Sequence, residues 1–118
     1  MGTLTKVNTA NFVDEVQAAE TPVFVDFYAD WCGPCRAVGP IVEELAAEYS
    51  GRLKVVKVDI DADPELANRF GVMSIPLLAI FKDGKMVQRL VGAQPKANLK
   101  KAIDGVVGEP ATDAVVSA

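Results

Sequence analysis

Two kinds of hydrophobic periodicity alternate along most of this chain, and this alternation restricts the possible folds more than any other feature of its sequence. Short apolar runs that are typical of buried strands occupy residues 23–28 and 53–58, and two further apolar runs, which also predict strands, occupy residues 77–81 and 86–91. Around most of these runs, apolar residues recur at helical spacing, most extensively over residues 38–49, a segment that contains Pro40. The predicted order of elements is α-β-α-β-α-β-β-α.

Turn and cap residues place the ends of several elements. Asn8 or Thr9 is a candidate N-cap of the short first helix. The apolar face of that helix is expected to contain Phe12, Val13 and Val16. Asp63 is a candidate N-cap of the third helix, because a proline follows it. Asp83-Gly84 separates the last two strand-like runs and predicts a tight hairpin.

The order of the elements determines how the strands pair. Strand–helix–strand units early in the chain imply parallel strands joined by right-handed crossovers, whereas the late hairpin implies an antiparallel pair. We therefore predict an α/β fold with a central mixed β-sheet and helices on both of its faces. Residues 1–108 are expected to form one domain. Residues 109–118, which contain Pro110 and small residues with little periodicity, are expected to be a flexible C-terminal tail.

Composition and charge exclude several classes of function. The formal net charge of −4 does not favour a nucleic-acid partner. No segment approaches the roughly 20 apolar residues of a membrane-spanning helix, so no membrane partner is expected. The first residues lack the basic and apolar regions of a secretory signal, which favours a cytoplasmic protein. Because the chain contains no histidine, it cannot form a Ser–His–Asp triad, a Cys–His hydrolase site or a Cys2His2 zinc site.

The two cysteines of the chain, Cys32 and Cys35, are only three positions apart. A disulfide between them would close a very small loop, which restricts the unfolded chain less than a long-range bond would. The alternatives that remain open are a static structural disulfide, a pair of inert core thiols and a zinc site shared with another chain. The Gly-Pro between the cysteines, and their position between a strand and a helix, favour a disulfide that opens and closes.

The predicted position of these cysteines at the start of a helix has a chemical consequence. The unpaired N–H groups and the positive dipole end of the helix favour an anion. We therefore expect the pKa of Cys32 to lie below the usual thiol value of about 8.5. Its thiolate would be the nucleophile, and Cys35, one turn further on, would attack a mixed disulfide formed at Cys32. Gly33 permits a tight turn, and Pro34 has a fixed φ that suits a helix start.

Asp26 interrupts the apolar run of residues 23–28, which we expect to be buried. Burial without a partner would raise the pKa of its carboxyl group, which could then accept a proton from Cys35 through a water molecule. An edge position facing water is the alternative for Asp26. Lys57, in the neighbouring predicted strand, either stabilises the Asp26 carboxylate or is an ordinary solvated lysine at a strand end.

Three further segments are candidates for contact with a substrate. Pro76 precedes an apolar run, and a cis peptide bond there would leave the Ile75 backbone free to pair with an extended substrate. An ordinary trans proline at the start of a strand is the alternative. Trp31, beside the cysteines, is either a packing residue or a platform for substrate. Together with Ile75 and the loop at Gly92 and Ala93, it could form an apolar patch for extended chains.

The sequence resembles the thioredoxin family. Residues 31–35, Trp-Cys-Gly-Pro-Cys, match the active-site motif of that family in full. Further positions match it in type and order, namely Asp26, Lys57, Ile75-Pro76, Lys82-Asp83-Gly84 and Val91-Gly92. The resemblance extends from about Leu4 to Val107, which is nearly the whole chain.

This resemblance implies a thioredoxin fold, a cis-Pro76 packed against the cysteines, and a general protein-disulfide reductase activity. It also implies that Cys32 is the nucleophile, that Cys35 is the resolving thiol, and that Asp26 assists the deprotonation of Cys35. The Cys32–Cys35 disulfide would be the redox group, with no metal and no bound organic cofactor. The implied partners of this monomeric protein are disulfide-containing protein substrates and a thioredoxin reductase, which draws electrons from NADPH or from ferredoxin.

Three residues near the expected site depart from the pattern of the family. Tyr28 stands where many members carry tryptophan, Leu77 where threonine is usual, and Met73 where a more polar residue is found. These departures concern substrate preference and redox potential rather than the chemistry itself. The Gly-Pro between the cysteines resembles the reducing members, since isomerases typically carry histidine there. The alternatives to a reductase are an oxidant or isomerase of the same fold, and a binding subunit or chaperone-like scaffold in which dithiol chemistry is secondary.

Overall fold

A mixed β-sheet of five strands forms the centre of the protein over residues 4–108, which are the residues that the computed structural model describes. The strands are β1 at Thr5–Lys6, β2 at Val23–Tyr28, β3 at Lys54–Asp59, β4 at Leu77–Lys82 and β5 at Lys85–Val91. Their order across the sheet is β1-β3-β2-β4-β5. Neighbours are parallel between β1, β3 and β2, and antiparallel between β2, β4 and β5. The predicted mixed sheet is confirmed.

The helices that flank the sheet are a π-helical segment at Val13–Gln17, α1 at Gly33–Glu48, α2 at Pro64–Arg69 and α3 at Lys96–Val107. Helix α1 continues through Pro40. Over residues 4–108, none of the helices has the length and apolar character needed to cross a membrane. The tail predicted at residues 109–118 lies outside the described residues.

Each face of the sheet is buried by its own set of helices. One face packs against α1 and α3 through Phe24, Leu78, Ile80, Val42, Leu45, Leu99 and Ile103. The opposite face packs against the π-helical segment and α2 through Val25, Phe27, Phe81, Phe12, Val16 and Leu66. Because side chains alternate along a strand, successive residues of β2 enter different cores. The predicted arrangement of helices on both faces is confirmed.

Two features of the predicted elements differ from the structure. Val13 is 53% exposed rather than buried with Phe12 and Val16, because neighbouring residues of a helix point to different sides. The edge strand β1 is absent from the predicted order of elements. Its two residues are exposed, and it joins the sheet by pairing with β3, so no hydrophobic pattern marks it.

Thr9 links the first helical segment to α2 instead of capping its own helix. Its hydroxyl and its backbone N–H donate to Asp63 Oδ1 at 2.8 and 3.0 Å. Asp63 is the N-cap residue of α2, as predicted, but its side chain makes no cap hydrogen bond there. Asn8 instead makes the hydrogen bonds of an N-cap: its Oδ1 accepts from the Asn11 N–H at 3.0 Å, and its own N–H donates to Asn11 Oδ1 at 2.8 Å, in the turn that leads into the π-helical segment. One carboxylate therefore connects the starts of two helical segments.

The hairpin between β4 and β5 confirms the prediction from Asp83-Gly84. These residues have φ values of +52° and +81°, as the favoured two-residue hairpin turn requires. A Cβ atom on Gly84 would lie 3.3 Å from the backbone carbonyl oxygen of Gln17. The tip of the hairpin therefore packs closely against the end of the π-helical segment.

Candidate active site

Cys32 and Cys35 form a disulfide at the N-terminus of α1, with their Cα atoms 5.2 Å apart. Cys32 is the N-cap residue of the helix, and its Sγ accepts a hydrogen bond from the Cys35 N–H at 3.1 Å. Backbone N–H groups at a helix start favour negative charge, so a reduced Cys32 would lie where a thiolate is stabilised. Over residues 4–108, no group of three Cys, Asp or Glu side chains forms a candidate metal site.

The two residues between the cysteines begin the helix. Helix α1 starts at Gly33, and Pro34 lies in its first turn, where the missing N–H of proline breaks no helical hydrogen bond. Gly33 does not have a positive φ, and a Cβ atom there would meet no atom within 4 Å. The local backbone at Gly33 therefore has room for a side chain.

Asp26 lies in β2, inside the sheet, and is only 5% exposed. Its Oδ1 atom is buried without a hydrogen-bond partner. Burial raises the pKa of the Asp26 carboxyl group to about 7, and the positive charge of Lys57 opposes this rise. The alternative of an edge position facing water is wrong, because β2 has β3 on one side and β4 on the other.

A cleft of about 680 Å³ connects the buried carboxyl group to Cys35, since Asp26, Cys35 and Lys57 all line it. Asp26 and Lys57 are register partners on β2 and β3. Cys35 reaches the cleft from the first turn of α1. The remaining walls include Leu4, Tyr28, Ala29, Gly39 and Pro40. This volume leaves room for the water molecule that a proton transfer between Cys35 and Asp26 would use.

The peptide bond between Ile75 and Pro76 is cis, so the alternative of a trans proline is wrong. Cys32 Sγ lies 3.8 Å from the carbonyl oxygen of Ile75, and Ile75 packs against the buried cluster of Ala29, Cys32 and Cys35. The carbonyl oxygen of Pro76 accepts a hydrogen bond from the Gly92 N–H at 2.8 Å. The structure thus brings the Ile75-Pro76 and Gly92 segments together beside the disulfide.

Trp31 is 66% exposed, and its indole N–H donates to Asp61 Oδ2 at 2.8 Å. The alternative that Trp31 is a packing residue is therefore wrong. Asp61 is a partner of Trp31 that sequence reasoning does not identify. The signal that could have found it is the acidic segment after β3, because β2 and β3 end side by side at the paired residues Tyr28 and Asp59.

The other residues near the site differ in exposure. Ala93 is exposed next to Gly92, which has a φ of +93°. Met73 is 94% exposed, two positions before Ile75. Leu77 is buried in the core with 1% exposure, so this departure from the family pattern changes the core rather than a surface that a substrate contacts.

Known proteins match this chain over nearly its whole length. The family profile named Thioredoxin matches residues 3–105. Thioredoxin 1 of Synechococcus elongatus is 49% identical over 104 residues, which are 88% of this chain and 97% of that protein. The thioredoxin of Staphylococcus saprophyticus is 46% identical over 86% of this chain and 95% of its own length. The thioredoxin of Mycobacterium bovis is 49% identical over 86% of this chain and 88% of its own length. Matches of this extent, together with the sheet order and the cysteine pair, mean that the chain belongs to the thioredoxin family of thiol–disulfide oxidoreductases and is a protein-disulfide reductase.

Proposed function

We propose that this disulfide reductase acts by two successive thiol–disulfide exchanges through Cys32 and Cys35. The thiolate of reduced Cys32 attacks one sulfur of a substrate disulfide, forms a new S–S bond to it and releases the other substrate sulfur as a thiolate. Cys35 then loses its proton, attacks Cys32 Sγ and releases the second substrate sulfur. The substrate gains two electrons and two protons in total, and the disulfide between the two cysteines forms again.

The observation that carries this proposal is the hydrogen bond from the Cys35 N–H to Cys32 Sγ at 3.1 Å. The donor lies at the N-terminus of a helix, where a thiolate on Cys32 is favoured over a thiol. The 5.2 Å separation of the Cα atoms keeps the second sulfur within bonding reach. The stabilised thiolate favours attack by Cys32, and the short distance between the cysteines favours release of the substrate by Cys35.

Asp26 is the proposed acceptor of the Cys35 proton. A general base works best when its pKa is close to the working pH, and burial raises the pKa of Asp26 to about 7. The shared cleft supports transfer through a water molecule. Lys57 keeps part of the Asp26 population ionised despite its burial, because a nearby positive charge favours the carboxylate.

An extended segment of the substrate is proposed to bind across Trp31, Ile75, Pro76, Gly92 and Ala93. Trp31 and Ala93 offer exposed apolar contact beside the disulfide. The backbone of Ile75 lies close enough to Cys32 to align a substrate strand with the attacking sulfur. Gly33 and Pro34 are proposed to tune the redox potential from within the first helical turn.

A thioredoxin reductase is the proposed partner that returns the protein to its dithiol form, with electrons from NADPH or from ferredoxin. The Cys32–Cys35 disulfide is then the redox group, with no bound metal or organic cofactor. The protein is proposed to work as a monomer in the cytoplasm, where thiols are kept reduced. Residues 1–108 are the proposed active domain.

Reduction of the disulfides of insulin tests this mechanism, with thioredoxin reductase and NADPH as the source of electrons. We expect Cys32→Ser to abolish turnover, because the attacking sulfur is lost. We expect Cys35→Ser to stop after the first exchange as a covalent adduct with the substrate, visible on a non-reducing gel. Ala37→Ser, at an exposed position of the same helix, is the control and should retain turnover. Turnover that survives Cys32→Ser, or an adduct that forms through Cys35, would refute the assignment of roles.

A further inference from the structure

Tyr28 occupies a position in the cleft that the exchange mechanism leaves unused. It ends β2, two residues after Asp26, so both side chains point to the same face of the sheet. Tyr28 also lines the cleft that Asp26 and Lys57 share. The Lys57 ammonium lies over this ring, 5.5 Å from its centroid, within the distance of a cation–π contact.

We propose that Tyr28 is a positioning residue, whose ring holds the Lys57 ammonium beside the Asp26 carboxyl group. A lysine side chain is long and flexible, and its strongly hydrated ammonium otherwise extends into water. Lys57 is only half-buried, so packing within β3 does not fix the position of its ammonium group. This inference rests on the proposed role of Asp26 as the proton acceptor for Cys35.

The position of the Lys57 ammonium matters because its charge acts on the pKa of Asp26. Burial raises the pKa of Asp26, and the charge of Lys57 acts in the opposite direction. Other charged groups that face Tyr28 or line the cleft come from β1, the loop before α1, α1 itself and the end of β3, and they are Lys6, Asp30, Arg36, Glu43 and Asp59. The Lys6 ammonium of β1 interacts with the Tyr28 hydroxyl group, at the other end of the side chain from the ring face. That contact raises the pKa of Lys6 and needs the hydroxyl, whereas the contact with Lys57 needs only the ring.

Two roles for Tyr28 predict shifts of opposite sign. If the ring merely buries Asp26, a smaller side chain admits water and the pKa of Asp26 falls. If the ring holds Lys57 in place, its removal frees the ammonium and the pKa of Asp26 rises. The sign of the shift therefore separates a positioning role from a packing role.

The experiment titrates the Asp26 carboxyl carbon by NMR in the oxidised protein, whose disulfide-bonded cysteines do not titrate. The variants are Tyr28→Leu, Tyr28→Phe and Tyr28→Trp, each with Lys57 present and with Lys57→Met. We expect Tyr28→Leu to raise the Asp26 midpoint by roughly half a pH unit, which slows resolution of a mixed disulfide about threefold below the midpoint. Tyr28→Phe and Tyr28→Trp keep an aromatic ring and should therefore retain the Asp26 midpoint of the parent. In the Lys57→Met background, Tyr28→Leu should no longer raise it.

Several outcomes would overturn this inference. A midpoint that falls or stays unchanged in Tyr28→Leu, or a rise of the same size without Lys57, means that Tyr28 does not act through the ammonium. An Asp26 midpoint that differs from that of the parent in Tyr28→Phe would assign the effect to the hydroxyl group and its contact with Lys6. Failure of the proposed function is recognised separately: if Asp26→Asn resolves the mixed disulfide with the parent's rate and pH profile, Asp26 is not the proton acceptor, whatever Tyr28 does to its titration.

Discussion

At the scale of single residues, the exceptional group is Asp26, whose Oδ1 atom is buried without a partner inside the sheet. Burying an unpaired carboxylate is unfavourable, and the group responds by holding its proton more tightly. Its burial can be predicted from the sequence, because Asp26 interrupts an apolar run, and so can its neighbour Lys57. The bond between Trp31 and Asp61 cannot, because it depends on the directions of two side chains that are 30 positions apart.

The buried carboxyl group should make the stability of the protein depend on pH. The pKa of Asp26 is raised from 3.8 to about 7 in the folded protein. Its contribution to stability is therefore complete below about pH 4 and is lost as the pH rises through about 7. Asp26→Asn cannot ionise, so we expect it to exceed the parent in stability at pH 8 by at most about 4 kcal/mol, and to lose this advantage near pH 4. Urea unfolding across this pH range measures the difference.

Asp14→Asn is the matched control for this experiment, because Asp14 is an exposed residue of the π-helical segment. It should keep the pH dependence of the parent. A constant stability difference between Asp26→Asn and the parent from pH 4 to pH 8 would contradict the raised pKa of Asp26.

At the scale of elements, hydrophobic patterns predict helices and strands that place apolar side chains against the two cores, even half-buried ones such as Met86 and Leu90 of β5, and fail where an element carries no apolar residue. The hydrophobic runs predict β2, β4 and β5 closely, while β3 begins one residue later than its apolar run, at Lys54. The edge strand β1 escapes prediction because its contribution to the sheet is backbone pairing alone. The capping prediction for Thr9 fails because a tertiary partner, the Asp63 carboxylate, competes with the local backbone.

The β4–β5 hairpin should tolerate glycine better than any other residue at its second turn position. We expect Gly84→Ala to lower the free energy of unfolding by about 1–2 kcal/mol, because φ is +81° there and an L-residue is strained in that region. The contact of a Cβ atom with the Gln17 carbonyl oxygen, at 3.3 Å, adds to the loss. Urea denaturation of the variant and the parent measures the change.

Gly105→Ala is the matched control for the hairpin variant, since it makes the same substitution inside α3. A Cβ atom at Gly105 meets no atom within 4 Å, and alanine favours helix over glycine. This variant should therefore be more stable than the parent by about 0.5–1 kcal/mol. Equal effects of the two substitutions would show that the turn conformation does not determine the cost at Gly84.

At the scale of the whole molecule, redox state and global stability are coupled, because the disulfide is also a constraint on the unfolded chain. Its two cysteines are three positions apart, and closing so small a loop stabilises the fold by about 2 kcal/mol in the chain-entropy description. Stabilisation of a Cys32 thiolate at the start of α1 acts in the opposite direction and favours the reduced form, by about 0.3–1 kcal/mol for a charge at a helix end. The constraint that the disulfide places on the unfolded chain is therefore the larger of the two effects.

We therefore expect the oxidised protein to be more stable than the reduced protein at pH 7, by about 1–2 kcal/mol. A protein whose oxidised form is the more stable gives up its electrons readily, whereas a strong oxidant has a stabilised reduced form. Urea unfolding with and without a dithiol reductant measures the difference, and a variant with both cysteines changed to serine should not respond to the reductant. The opposite order of stability would favour the oxidant or isomerase instead of the reductase.

Trp31 gives the protein an optical property that follows from its position. It is the single tryptophan of the chain, and it lies next to Cys32, with its ring largely in solvent and anchored to Asp61. Indole fluorescence, excited at wavelengths that tyrosine does not absorb, therefore comes from one point on the molecular surface. Events at the disulfide, whether reduction or the arrival of another chain, can be followed in real time without attaching a dye.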